Sequence, residues 1–406
     1  MEHITSQSER VIRSVAGVIV VGLFVAFFIL SAPARKNDLD FAEFYSAGQI
    51  VRQGLGRELY NLNLQYEFQS KIAVVHVFYN HPPFEALLFV PLTYCNYQVA
   101  YTIWTLVSVA LLALAALMLK SHSNVSLAIS QYARMRADFG LHLVLFLTFA
   151  PATTALLLGQ DSMLMLFLYT LVFVLLVQGK DFRAGCILAC GLFKFQLIVP
   201  FAIILLLRRK WSVMKGFAVA ASLLVFVSVA ISGFRVLVEY PRLLLLDRTY
   251  QQVGGFDPAF MPNIRGFFYL LGGRRLPPSI FASGVTVLSL LLAWFSAKNW
   301  RDEQLAWSFS LSVLAGLLAS YHVYNYDLTL LLLPLAIICG ELAKRRCLLS
   351  APIVFTFALV LLFIPPLHRL LLLHSIYGLM SIVIVTFFFV VLRLNRLDLI
   401  DGKAAG

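Results

Sequence analysis

Three carboxylates, Asp38, Asp40 and Glu43, stand together in "RKNDLDFAEFYSAG" (35–48), directly behind a long apolar run. In a chain that is 60% hydrophobic and only 13% charged, that grouping needs a reason. Acidic residues at the start of a helix are stabilised as anions by the helix dipole, so they can be simple helix starters and weak bases. The other reading makes one of them a general base, or all three a metal-ligand set, at a membrane surface. With Asn37 or Asp38 as cap, "DFAEFYSAGQIVRQG" reads as an amphipathic helix closing near Gly54. Asp40, Glu43, Phe44 and Ala47 share one of its faces.

Four further places could join such a site. "LLLGQDSMLMLFL" (156–168) sets Gln160, Asp161 and Ser162 in a tight turn between apolar runs. That turn either caps the next helix or points into a cavity. Lys194, between Phe193 and Phe195, is costly in an apolar segment unless it meets an anion or reaches headgroups. A phosphate is the sharper partner for it. "SYHVYNYDL" (320–328) combines interfacial tyrosines with His322 and Asp327, which an aromatic belt does not explain. The segment 233–277 carries Arg242, Arg248, Arg265, Arg274 and Arg275, suiting an anionic ligand or lipid headgroups.

No Walker loop, GxGxxG, GxSxG or HExxH occurs, so nucleotide-driven chemistry and a serine triad have no support. The five cysteines form no CxxC or Cys/His ligand spacing.

The elements that must hold these residues are membrane spans. The length of 406 residues, the 14% aromatic content and the mean hydropathy of +0.85 exclude an ordinary soluble domain. The net charge of +12 does not indicate nucleic acid, because the basic residues punctuate the apolar runs. Spans are expected near 14–33, 98–119, 140–158, 162–178, 211–232, 278–297, 305–320, 328–343, 349–366 and 374–392. The whole chain reads as one all-α polytopic membrane domain. Residues 1–13 and the C-terminus are expected in the cytoplasm, with large extracytoplasmic loops at 34–97 and 233–277. "SAPA" (31–34) is weakly like a signal-peptidase site, but the run before it suits an uncleaved anchor. Within the first loop, "FYNHPPFEALLFVPL" (78–92) reads as an interfacial helix too short to span.

One segment breaks simple alternation. Lys180/Arg183 and Arg208/Arg209/Lys210 both carry the cytoplasmic signature, yet 184–207 between them is long enough for one crossing. Either one basic cluster violates the charge rule, or the segment is a broken hairpin with Lys194 and Gln196 at its tip. A hairpin requires a cavity over its irregular backbone.

The series "DLDFAEFYSAGQIVRQGLGRELYN", "YNHPPFEALLFVPL", "P…LLLGQDS" and "AG…FKFQLIVP…LLLRRKW" resembles glycosyltransferase family 87 over about residues 14–345. Its members are GT-C-type helix bundles with a large first extracytoplasmic loop, and include polyprenol-phosphate-mannose-dependent mannosyltransferases of bacterial envelopes. The resemblance places the family's catalytic base on Asp40, its "GQ" turn on Gly159–Gln160, and its basic residue on Lys194, with Pro200 following. "SYHVYNYDL" departs from the Trp- and His-rich version of relatives, which weakens the match at His322.

The resemblance implies an enzyme of the cell membrane acting on its extracytoplasmic face. It would move a sugar, mannose first among candidates, from a polyprenyl-phosphate donor to a lipid or glycan hydroxyl by inverting displacement. No cofactor and no metal are expected, and the lipid-phosphate sugar is a co-substrate. Glu43, Tyr45, His81, Gln160, Asp161, Lys194, Arg265, His322 and Asp327 are the expected substrate-binding set around Asp40. A transporter or flippase of lipid-linked sugars is the competing reading.

Overall fold

The computed structural model describes residues 40–72, 77–122, 139–246, 257–344 and 353–404. The expected first span, Asn37, Asp38 and Arg248 lie outside these. The described residues are mostly helical, with no strand among them.

The first loop folds into three short helices, α1 (Phe41–Arg52), α2 (Leu62–Gln69) and α3 (Pro83–Phe89). Pro83 starts α3 at a position where a missing N–H costs nothing. Phe41, Phe44, Phe89, Tyr101 and Trp104 form the core beneath these helices. Leu87, Leu88 and Tyr94 are left exposed, as an interfacial segment requires.

Helices of nine to 26 residues follow: α4 (Tyr97–His122), α5 (Phe139–Leu147), α6 (Ala150–Leu158), α7 (Ser162–Val177), α8 (Asp181–Cys190), α9 (Phe195–Leu207) and α10 (Trp211–Ser232). The second loop holds α11 (Val236–Leu246) and α12 (Ile264–Leu270). The chain ends with α13 (Pro278–Lys298), α14 (Leu305–Ala319), α15 (Leu332–Lys344), α16 (Ile353–Leu361), α17 (Pro365–Leu373) and α18 (Ser381–Ala404).

Six runs among the described residues are long and apolar enough to cross a bilayer: 97–122, 181–207, 211–232, 278–298, 325–343 and 377–395. Four expectations change. The spans expected at 162–178 and 305–320 are shorter apolar helices, α7 and α14, of 16 and 15 residues. The run 140–158 is divided into α5 and α6, where Pro151 opens the second helix. The span expected at 349–366 is interrupted: α16 and α17 meet at 76°, because the Pro365–Pro366 pair cannot continue a helix.

The run 181–207 is not straight. Gly185 and Gly216 let α8 and α10 cross backbone to backbone, Gly185 against Val213 and Gly216 against Phe182. A straight helix would carry Leu207 about 33 Å from Gly185 at ~1.5 Å per residue, too far for the chain to be back beside Gly185 by Val213. The turn lies in the 3₁₀ segment Gly191–Lys194, where Lys194 leaves helical dihedrals with φ −112° and ψ 63°. A side chain at Gly191 would stand 2.6 Å from Ile198, across that turn. From there α9 descends beside α7, with the Tyr169 hydroxyl donating to the Leu197 carbonyl at 2.9 Å. The two arms put Lys180/Arg183 and Arg208–Lys210 at one end of the bundle and Lys194 at the other. Asp302 meets Lys210 at 2.6 Å, so the neighbouring Lys298 and Arg301 stand at the basic end as well.

Candidate active site

Asp40 occupies the cap position of α1 but its side chain caps nothing. An N-cap Asp ordinarily accepts from the first turn's amides, worth about 1 kcal/mol. Here the carboxylate instead accepts from Gln160 Nε2 at 2.7 Å. Gly159, in the left-handed region at φ +72°, makes the turn that delivers Gln160; a side chain there would meet Phe41 Cβ at 2.7 Å. The Trp104 indole donates to the Gly159 carbonyl at 2.9 Å and pins the turn.

Lys194 enters from the hairpin tip. It is 2% exposed, and its ammonium lies 2.6 Å from Asp161 Oδ1 and 2.7 Å from Asp327 Oδ1. It also donates to Ser162 Oγ at 3.2 Å, reaches Gln160 Oε1 at 3.5 Å and sits over the Tyr326 ring at 4.9 Å. Asp327 is fixed in turn by the Tyr324 amide at 2.9 Å. A charge in such a segment is held only because two carboxylates meet it.

A cavity of about 330 Å³ opens in front of this network. Asp40, Glu43, His81, Gln160, Lys194, His322 and Asp327 all line it, joined by Asn80, Gln196, Tyr324, Asn325 and Tyr326. Burial pushes the Asp40 carboxyl up to about 6, with the Gln160 hydrogen bond and the Lys194 charge pulling the other way. The helix dipole does not keep it a weak base; desolvation wins. Glu43 is buried, lacks a hydrogen-bond partner at Oε2, and is pushed well above the usual range by burial and by the Asp40 charge. His322, packed on Tyr324 at 4.5 Å, is driven down to about 3 by burial and by Arg265 and Lys194, so it is a neutral imidazole.

Three expected binding residues stand elsewhere. Tyr45 faces the core under α1 and donates to the Cys95 carbonyl at 2.7 Å, because one helix face cannot turn both Glu43 and Tyr45 to the cavity. Asp161 does not line the cavity; it lies behind Lys194 as its counter-charge. Arg265 stays off the wall, 4.2 Å above the Tyr321 ring, bonded to the Tyr321 carbonyl at 3.3 Å. Asn263, whose amide donates to the Ser320 carbonyl at 2.8 Å, anchors that segment beside the cavity.

Glu85 is the residue that sequence reasoning passed over. It is buried beneath the wall, with Oε2 2.8 Å from His81 Nδ1 and 3.3 Å from the Tyr79 hydroxyl. Burial raises its pKa despite the neighbouring imidazole. Burial also disfavours the charged form of His81, yet Glu85 and Asp161 outweigh that and raise it. The signal was the "HPPFE" spacing: His81 and Glu85 are one helical turn apart. His81, Glu85 and Asp161 each bring a ligand atom within 4.8 Å of the others, a set able to hold a metal ion, although Lys194 already neutralises Asp161.

The family model of glycosyltransferase family 87 matches residues 79–334. The chain belongs to that family. The match spans the turn at Gln160, the hairpin tip at Lys194 and the wall at His322–Asp327, and it begins after Asp40 and Glu43. No match emerges among curated proteins or among solved structures. Family 87 membership makes the chain a membrane glycosyltransferase, and the cavity is the one place among the described residues where a carboxylate of raised pKa meets a cluster of polar side chains.

Proposed function

We propose that the protein transfers a sugar, mannose first among candidates, from a polyprenyl-phosphate donor to a lipid or glycan hydroxyl, with Asp40 as general base. The observation that carries this reading is the position of Asp40: on the cavity wall, bonded to Gln160, with a pKa of about 6. A base of that strength is ionised at neutral pH and still takes up a proton, the compromise that general-base catalysis favours. The acceptor oxygen attacks the anomeric carbon as Asp40 removes its proton. The bond to the phosphate oxygen breaks in line, and the sugar is inverted. Glu43 hydrogen-bonds a sugar hydroxyl from the cavity wall, and neutral His322 and Asn325 orient the ring.

The donor phosphate belongs at the rim. Lys194 is already matched by two carboxylates, and His81 by Glu85 and Asp161, so neither has charge to spare for it. Arg265 has no acidic partner among the described residues, and a guanidinium fork suits a phosphate. Leu372 of α17 lines the cavity while its neighbours Leu370 and Leu373 are exposed, which gives the polyprenyl chain a lipid-side path to the same place. On this reading the cavity faces the extracytoplasmic side and the basic end of the bundle the cytoplasm.

The test is turnover of purified protein with a panel of polyprenyl-phosphate sugars and a lipid extract, read by mass spectrometry of the product. Sugar transfer that stops in Asp40→Asn supports the assignment. Unchanged transfer in that variant ends it.

A further inference from the structure

A second cavity, of about 960 Å³, lies where the first loop meets the end of α10. It is lined by Arg57, Arg235, Arg242, Glu58, Glu239 and Ser232, among others. Its construction is close-fitted: a side chain at Gly56 would meet Ile231 Cγ2 at 2.8 Å, so only glycine lets the loop seat on α10 there. Gly233, at φ +77°, then turns the chain into α11.

Three features of this cavity point to an occupant. The three arginines have no ion pair with an acidic residue among the described residues, which leaves guanidinium forks open for an anion. Ser232 Oγ is buried on the wall and makes no hydrogen bond. The rim is greasy: Phe234 is 80% exposed and Val238 70% exposed. The helix leading to it faces lipid, since Val219, Leu223 and Phe226 of α10 are all exposed. A soluble anion would need the arginines and not the apolar rim. A lipid needs both, headgroup phosphate in the cavity and chains against α10.

We infer that this cavity binds the phosphate headgroup of an anionic phospholipid from the surrounding leaflet, apart from the sugar-transfer site. The Tyr60 ring, stacked on Tyr240 at 5.4 Å, and Phe78 and Phe195 stand in the cluster beside it, and the Tyr60 hydroxyl donates to the His81 carbonyl at 2.8 Å. Tyr60 lines this cavity and His81 the other, so that ring stands between the two.

The experiment is native mass spectrometry of the full chain in detergent, titrated with phosphatidylglycerol or with phosphatidylcholine of the same acyl chains. Wild type should retain phosphatidylglycerol preferentially. A basic residue near an anionic headgroup is worth about fivefold in affinity, so Arg57→Gln/Arg235→Gln/Arg242→Gln should lose on the order of a hundredfold. Glu239→Gln, which removes a like charge from the wall, should bind about fivefold tighter. Soluble glycerol phosphate should not compete. Equal retention of the two lipids overturns the inference, as does undiminished binding in the triple variant or competition by glycerol phosphate. Should the triple variant fail to fold, Glu239→Gln decides alone, and no tightening overturns it.

Discussion

Gln160 donates from Nε2 to Asp40 Oδ2 across 2.7 Å, tying a helix start in the first loop to a turn 120 residues further along. That bond fixes which oxygen of Asp40 is left to face the cavity. It also orients the amide: with nitrogen toward Asp40, the carbonyl oxygen points to Lys194 at 3.5 Å. The lysine therefore acts on the carboxylate through Gln160 as well as through its field.

Asp40 itself supplies the first prediction. If Asp40 is the general base proposed above, turnover should be level above pH about 6 and fall as pH drops through that value. Asp40→Asn should lower the rate by about 10²–10⁴. The stability change has the opposite sense. A carboxyl raised from 3.8 to about 6 by folding contributes stability that is complete at low pH and lost as pH rises through about 6. The neutral amide removes that loss, so the variant should melt no lower than wild type at neutral pH. Thermal unfolding in detergent checks it; a large drop would mean that Asp40 holds the fold.

The hydrogen bond from Gln160 lowers the Asp40 pKa against the pull of burial. Gln160→Leu removes it, and the acid limb of the pH–rate profile should move up by about one unit. A profile that keeps its limb near 6 while the rate falls would assign Gln160 to substrate contact instead.

Much of this arrangement was readable in advance because it rests on local cost. A lysine between two phenylalanines in an apolar segment needs an anion or a route to headgroups, and two basic clusters flanking a run fit for one crossing left a chain that turns back as one of two readings. The helix after Asp40 followed from its periodicity. What escaped is what depends on pairing in three dimensions. Asp161 had the same standing in sequence as Gln160, yet only one of two adjacent side chains can face the cavity while the other neutralises Lys194. Tyr45 was lost by a helical register of two residues from Glu43. The raised pKa of Glu43 and the neutral imidazole of His322 come from burial, which no spacing reveals. Lys194 was expected to meet a phosphate; its ammonium meets Asp161 and Asp327 instead.

That last point separates two residues experimentally. Lys194→Met would leave Asp161 and Asp327 facing each other without a cation, and breaking a buried pair in this way costs about 3–5 kcal/mol. The protein should lose melting temperature together with activity, and Lys194→Met/Asp161→Asn should regain part of both. Loss of donor affinity with unchanged melting would instead restore the lysine as a phosphate ligand.

Arg265 should show the converse pattern. It lies against Tyr321 at the cavity rim, so Arg265→Gln removes no buried charge and should leave the melting temperature within the range of a surface change, about 0.5 kcal/mol. If the donor phosphate docks there, KM for the polyprenyl-phosphate sugar should rise about tenfold, the loss expected for one charge-assisted contact. The acid limb set by Asp40 should not move, because the variant leaves the Gln160 bond and the Lys194 charge in place. Arg265→Lys should recover part of the affinity through charge alone and miss the share that needs the planar fork. Steady-state kinetics at two pH values, with donor varied, reads all three quantities; a fall in kcat with KM unchanged would place the phosphate elsewhere.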